Sequence, residues 1–501
     1  MAKIHPQITV VGGGLAGSEC AYQLAQLGHS VVLYEMRGGK MTPAHKTDRL
    51  AELVCSNSLG SMTDYSAPGQ LKWEAEQLGC FVLRAAKNAA VPAGMALGVD
   101  REVFATEVTE TLARHPRIEI RRELVTSLDQ IPRPAVICTG PLTEDHLAQS
   151  LRDHFDGEFL YFFDAIAPIV DAESINKFIA YKADRYDKGT RDYYNCPLNK
   201  EQYYALIQEI KNARKIEAKE FEKDTPYFKG CMPIEAIIES GDETLRFGPL
   251  SPKGLRNPWN GQGAYAIVQL RQDNKQGTAY NMVGFQTKMA YGEQTRVFRM
   301  IPGLESAEFL KLGSIHRNLY IQTPKKLTPT LSSHKDEWLF FAGQITGVEG
   351  YFDSTCMGLL VAHFLNDKLA GRAISVPPRA SALGSLLNGI TEDNDYFQPT
   401  NIHFGLFPRV EEWNGRKKGQ KREKRELQLE RAKAALLGWL ESKGLREMTP
   451  VCSLANPQVA SPQPPDLPPP QHPPPPSTHP FTQPSCPQPH PHEVTNLVPP
   501  S

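Results

Sequence analysis

Ile8-Thr9-Val10-Val11-Gly12-Gly13-Gly14-Leu15-Ala16-Gly17-Ser18-Glu19 is the stretch whose reading decides the fold. A short β-rich apolar run breaks into three glycines, after which Ala21, Leu24 and Leu27 recur at helical spacing until Gly28 stops them. The pattern predicts a strand, a tight turn and a helix. Gly12 allows the turn, Gly14 lets backbone approach a pyrophosphate, and Gly17 permits close helix–strand contact. The helix N-terminus, from Leu15 and Ala16 on, turns free N–H groups toward phosphates, and Gly13 completes the loop. A second apolar run, Ser30 to Tyr34, ends in Glu35, where a ribose hydroxyl needs an acceptor. Glycines also fill ordinary turns, but strand, turn, helix, second strand and terminal acid occur here in order. The unit is predicted to bind a dinucleotide.

Working outward, 501 residues suffice for two or three domains with large cores, and 40% hydrophobic content suits a globular body. A formal net charge of −1 leaves any nucleic-acid contact to local basic patches. Nine cysteines are scattered without CxxC pairs or metal-ligand spacing, which fits a reducing compartment and predicts no metal site. The first residues show no signal peptide and no stretch approaches membrane-span length, so the expectation is a cytoplasmic protein without membrane contact.

After Glu35 a loop rich in glycine leads to Leu50-Ala51-Glu52-Leu53-Val54-Cys55-Ser56-Asn57-Ser58, an apolar turn that delivers a cysteine into polar company. Buried free cysteine is often a small apolar filler, so these residues alone leave Cys55 open between packing and chemistry. Helices are expected over Leu71 to Ala86 and Asp100 to His115, and Ala135 to Pro141 reads as a buried strand ending in Thr-Gly-Pro. From about Tyr193 to Pro324 the strand–helix alternation is lost, and Leu198 to Lys223 reads as a long helix solvated over most of its surface. We expect a strand-rich inserted α+β domain there. Trp338 to Tyr351 returns to an apolar strand with a second glycine turn, at Gly343 and Gln344, followed by an apolar helix. Two such turns at separate places suggest FAD rather than NAD.

A charged helix from Arg416 to Lys443 follows, and beyond Met448 the composition shifts to Pro, His, Ser and Gln, which predicts a disordered, partly polyproline tail. The expected divisions are 1–190 and 325–449 for the two parts of the FAD-binding domain, 191–324 for the insert and 450–501 for the tail. The fold class is α/β, a Rossmann-like FAD-binding domain with an inserted α+β domain.

GGGLAGSECAYQLA, TPAHKTDRLAELVCSNSL, GCMPIEAI, TLRFGPL, GFQTKMAYGEQ, FRMIPGLE, FFAGQITGVEGY and FQPTNIHFGLFP together closely resemble the FAD- and folate-dependent tRNA (uracil-5)-methyltransferases of bacteria, the TrmFO family. The resemblance runs to about Lys443 and departs from the family pattern at Arg37 to Lys40 and Phe352 to Gly358. It implies 5-methyluridine formation at position 54 of the tRNA T-arm, with 5,10-methylenetetrahydrofolate as carbon donor, reduced FAD as reductant, and NADPH or NADH reducing the flavin. The family's two functional cysteines fall on Cys55 and Cys231.

Uracil C5 is a poor nucleophile until a thiolate adds at C6, which calls for a cysteine beside the base. Cys231 is assigned that role and Cys55 the guarding of the one-carbon unit on the flavin side, though the two assignments can be exchanged. Arg246, Lys253, Arg256, Lys288 and the run from Arg416 to Arg425 are candidate phosphate contacts, Tyr227, Phe228 and Trp259 candidate stacking residues, and His316 a candidate neighbour of folate or flavin. Two other readings stay open: a GidA-type enzyme acting on wobble uridine with a partner GTPase, and a tRNA-binding flavoprotein that modifies nothing.

Overall fold

The computed structural model describes residues 6–42, 44–157, 160–165, 167–187, 190–216, 232–313, 315–394, 397–410 and 420–445. A five-stranded sheet runs, in spatial order, Leu339–Phe341, Ala135–Ile137, Ile8–Val11, Val31–Tyr34 and Ile118–Arg121. Every pairing in it is parallel. Strands of such a sheet are covered on both faces and need no alternation, which is why four of the five are short, nearly continuous apolar runs, while the edge strand Ile118–Arg121 alternates isoleucine with Glu119 and Arg121. The helix Leu15–Gln26 and the long helix Tyr351–Leu369 pack against each other beside it. Two helices, Ala67–Gln77 and Phe81–Asn88, occupy the stretch read as one, because Gly79 at φ 71° ends the first.

The second sheet is antiparallel and six-stranded, in the order Tyr181–Lys182, Tyr193–Leu198, Ala266–Gln272, Ala279–Met282, Ile169–Asp171 and Phe309–Lys311. Two of its strands come from before residue 191, so the change of sheet precedes the composition change that suggested a boundary at 190. Val170, Ala172, Ile175 and Ala180 belong to this sheet's own core, whereas Leu319, Tyr320 and Ile321 belong to the core of the parallel sheet. The chain passes between the bodies along two strands, Leu160–Ala165 and Ile315–Tyr320, which pair antiparallel with each other.

The expected solvated helix over Leu198 to Lys223 is corrected. Lys200–Asn212 is the helix, capped by Asn199 and Gln202 in a reciprocal box, and Tyr203, Leu206, Ile207 and Ile210 bury one face in the second core. Their spacing of three and four residues is an amphipathic stripe that the surrounding charge obscured. Residues 217–231 lie outside the described part, as do Arg416 to Gly419 and the tail from 446. The C-terminal helix is Gln420–Ser442, with Leu429, Ala432, Leu436, Trp439 and Leu440 buried. Among the described residues, no helix is long and apolar enough to cross a membrane.

Candidate active site

Strand order in the parallel sheet reverses at Ile8–Val11, whose neighbours on its two sides are Val31–Tyr34 and Ala135–Ile137. Open α/β sheets bind ligands in the crevice beyond such a point. A cavity opens there, lined by Gly12, Gly14, Leu15, Ala16 and Glu35 on one side and by Gly343 and Gln344 on another. Thr139, Gly140 and Pro141 also line it. Gly12 has φ 100°, and a Cβ there would lie 2.5 Å from the Cys138 carbonyl oxygen. A Cβ on Gly17 would stand 1.8 Å from the Gly12 carbonyl oxygen, so the helix can sit on the turn only as glycine.

Gly14 differs from both: nothing lies within 4 Å of its ideal Cβ, which would enter open space at the cavity. On the far side Gly343 takes φ 86°, with an ideal Cβ 2.7 Å from that of Ala16. Gly358 brings the long helix so near that its Cβ would lie 2.1 Å from the Ala16 carbonyl oxygen. Sequence reasoning missed Gly358; a glycine inside an otherwise apolar helix was the available signal.

Glu35 is engaged at both oxygens. Its Oε2 accepts from the Gly13 N–H at 2.9 Å and from Arg37 Nη2 at 3.0 Å, and its Oε1 from the Arg37 N–H and Nε at 2.9 and 3.0 Å. Burial by itself would raise its pKa, but these Arg37 and Gly13 contacts leave it below the ordinary value. Four N–H donors fill a carboxylate's usual capacity, so a ribose hydroxyl arriving here would share or replace part of the Arg37 fork. Arg37 Nη1 is buried without a hydrogen-bond partner among the described residues, 3.6 Å from Glu52 Oε2. A buried guanidinium N–H with no acceptor beside a cavity fits a ligand oxygen. Burial and the nearby Arg37 charge push His45, which also lines the cavity, down to about 4, so its ring is neutral at pH 7.

Cys55 sits half-buried at the junction of this cavity and the antiparallel sheet. Its N–H donates to the Tyr351 hydroxyl at 2.8 Å, and Tyr351 and Val54 both line the cavity. Three cations hold the loop from behind. Arg101 donates to the carbonyls of Leu53 and Cys55 at 2.6 and 3.2 Å and forks onto Asp273. Lys311 Nζ reaches the Val54 carbonyl at 2.9 Å. Arg271 donates to Asn57 Oδ1 at 3.1 Å and Ser56 Oγ at 3.3 Å.

Asn57 Nδ2 completes the clamp on the carbonyls of Val99 and Gln272, both at 3.0 Å. That amide is therefore spent on anchoring the loop. Burial, with Arg101 and Lys46 nearby, brings Lys311 down to about 8. Arg101, Arg271 and Lys311 were not singled out from the sequence, where each is a lone cation in an unrelated segment.

Cys231 lies outside the described residues, as do Tyr227, Phe228 and the side chain of His316. The segment after it is described. Ile234–Glu239 is a helix whose first N–H donates to the Gln286 carbonyl at 2.8 Å. Buried Glu235 accepts from the Thr287 hydroxyl and from the N–H groups of Lys288 and Met289, each at 3.2 Å. Ile234 and Glu235 thus meet residues 286–289, far away in sequence, in the body of the antiparallel sheet. Burial raises Glu235 above its ordinary pKa despite these bonds.

The family model described as glucose inhibited division protein A matches residues 7–373. A Bdellovibrio bacteriovorus protein named methylenetetrahydrofolate--tRNA-(uracil-5-)-methyltransferase TrmFO is 64% identical over 437 residues, 87% of this chain and 98% of that one. A protein of the same name from Rhizorhabdus wittichii is 51% identical over 440 residues, again 87% of this chain and 98% of its own. In fold, the chain is similar to Aquifex aeolicus GidA in its form I crystal, with a TM-score of 0.60 at 15% identity over 88% of this chain and 78% of that one. On the family model and the long, close matches, the chain belongs to the TrmFO family, within the wider GidA family.

Proposed function

We propose that the protein methylates C5 of uridine 54 in the T-loop of tRNA, taking the carbon from 5,10-methylenetetrahydrofolate and the electrons from NADPH or NADH through bound FAD. The observation that carries this reading is the Cys55 loop, which borders the glycine-lined cavity through Val54 and Tyr351 while the antiparallel sheet holds it through Arg271 and Lys311. A redox cofactor on one side and an RNA base on the other need such a junction.

In this reading residues 1–190 and 325–449 hold FAD and residues 191–324 face tRNA, with strands Ile169–Asp171 and Tyr181–Lys182 counted with the latter. The Gly12–Gly14 backbone would hold the pyrophosphate, Glu35 and Arg37 the ribose side, and Gly343 with Gln344 the flavin side. FAD, when bound and reduced, supplies the hydride that turns a methylene into a methyl group.

The chain's own part is base activation. The target uridine is first extruded from its loop. The Cys231 thiolate then adds through Sγ to C6, and the electron pair displaced from the C5–C6 bond passes to an enolate at O4. C5 thereby becomes the nucleophile toward the one-carbon unit. Loss of the C5 proton and elimination of the thiolate restore the ring. Cys55 is the guard of the one-carbon unit on the cofactor side.

The test is nucleoside mass spectrometry after incubating the purified protein with FAD, NADPH, methylenetetrahydrofolate and unmodified tRNA. We expect 5-methyluridine alone. A carboxymethylaminomethyl group at the wobble position, formed only with a partner GTPase, would replace the proposal by GidA-type chemistry, and unmodified tRNA would leave a binding protein.

A further inference from the structure

Beside the antiparallel sheet, away from the glycine-lined cavity's residues, an open cleft of about 410 Å³ is bounded by the loop 257–265 and the start of the helix Lys200–Asn212. Its lining is rich in side-chain amides. Asn199, Gln202, Asn257 and Asn260 all face it, and each has its side-chain oxygen committed to nearby backbone. Asn199 Oδ1 accepts from the Gln202 N–H at 2.8 Å, and Gln202 Oε1 from the Asn199 N–H at 2.9 Å. Asn257 Oδ1 accepts from the Trp259 N–H and Asn260 Oδ1 from the Gln262 N–H, both at 2.9 Å. These bonds fix which end of each amide is which. This leaves four NH₂ groups for which the described residues provide no acceptor, and Gln262, also in the lining, adds an amide that can donate and accept. Lys200 adds an ammonium, and no carboxylate is among the lining residues.

A surface this rich in donors suits a ligand that accepts at several points. Phosphate oxygens, base carbonyls and ring nitrogens offer this together in one nucleotide. An aromatic platform stands at the same place. Trp259, between Asn257 and Asn260, is 59% exposed and meets Tyr181 edge-on, with centroids 6.2 Å apart and planes at 72°. Its free face can stack on a base, and Tyr181, itself lining the cleft and 1% exposed, buttresses it. Paired bases would hide both the ring face and the base edges, so the fit is to an unpaired nucleotide.

We propose that this cleft holds an unpaired loop nucleotide of the RNA substrate other than the target uridine, stacked on Trp259 and hydrogen-bonded by the amides of Asn257 and Asn260 and their neighbours. The inference rests on the tRNA reading above. The cleft shares its body with the segment after Cys231: the Tyr203 hydroxyl, on the helix that begins at the cleft, donates to the Asp242 carbonyl at 2.6 Å, and that helix packs on Ile234–Glu239. A nucleotide seated there would fix the RNA's position relative to the nucleophile.

The test measures binding of the full FAD-loaded chain to a T-arm hairpin and to its stem duplex without the loop. Trp259→Ala should weaken hairpin binding about tenfold, and Trp259→Phe should restore most of it. Asn257→Asp with Asn260→Asp keeps the oxygens that cap the turn while removing the donors, and should weaken hairpin binding by more than Trp259→Ala does. Flavin content should stay at the wild-type ratio, and duplex binding by Trp259→Ala should match the wild type. Hairpin binding unchanged in these variants would overturn the cleft while leaving the substrate reading intact. Equal weakening toward hairpin and duplex by Trp259→Ala would also overturn it, since the contact would then be with backbone alone. Failure of the wild type to bind the hairpin would overturn the substrate reading itself.

Discussion

The glycine-lined cavity and the amide-lined cleft are built from opposite materials. In the first, backbone comes close to backbone, and wherever that happens a side chain is forbidden: Gly12, Gly17 and Gly358 would each drive a Cβ to between 1.8 and 2.5 Å of a carbonyl oxygen. In the second, the recognising atoms belong to asparagine and glutamine side chains on an exposed loop and helix end. A site made by exclusion writes itself into the sequence; a site made by side chains of common type does not.

The sharpest way to break this contrast is through the two cysteines, Cys55 and Cys231. Cys231→Ala should retain FAD and NADPH oxidation, yet lose methyl transfer below detection and form no covalent adduct with T-arm RNA carrying 5-fluorouridine. Fluorine at C5 blocks the elimination that normally frees the thiol, so the adduct reports the nucleophile. Cys55→Ala should also lose turnover but still capture that RNA. The opposite pattern of adducts would exchange the two roles.

Within the glycine turn, a second contrast is expected at the next level of effect. Gly17→Ala places a methyl carbon against the Gly12 carbonyl and should cost about 2–3 kcal/mol in urea unfolding, with loss of bound flavin. Gly14→Ala has ordinary φ of −74° and open space around the new carbon, so it should unfold like the wild type and lose flavin affinity alone. Equal destabilisation by both would mean that the open side of Gly14 is not a ligand cradle.

Lys311 gives a smaller effect, read as a pH dependence. Its folded-state pKa of about 8 is below the ordinary 10.5, because burial and neighbouring cations disfavour its charge. Between those two values the unfolded chain binds more protons, so this group makes stability rise with pH, whereas below about 8 its cost is constant. Relative to Lys311→Met, the wild type should therefore gain on the order of 1–3 kcal/mol between pH 7.5 and pH 10 in urea titrations. Least of all should happen on removing residues 450–501, whose composition offers little apolar surface to bury; melting temperature and methylation should stay at wild-type values.

Much of the parallel body was legible because its constraints are local. Ile8 to Glu35 carries strand, turn, helix, strand and acid in one unbroken run, and the same logic found Gly343 and Gln344. The antiparallel sheet was recognisable only as a change of character. Its strand Ala266–Gln272 is buried from end to end although it contains Gln269, Arg271 and Gln272, so neither alternation nor an apolar run announces it. Those residues are tolerated inside because Asn195, Ser56 and Asn57, and the 274–275 turn meet them, and such partners come from places that no periodicity connects. The Arg101, Arg271 and Lys311 clamp was invisible for the same reason.

That clamp bears on any attempt to cut the protein into separately expressed pieces. A fragment carrying only the antiparallel sheet would keep Arg271 and Asp273 but lose Asn57, Ser56 and Arg101, the partners that hold them in the intact chain. Charge-assisted contacts of this kind contribute about 1.5–3 kcal/mol each, a sizeable part of a domain's margin of stability. The complementary fragment would hold Cys55 on a loop missing two of its three cationic anchors. Grafting the antiparallel half onto another scaffold would therefore have to carry residues 53–57 and Arg101 along with it, as one heritable block.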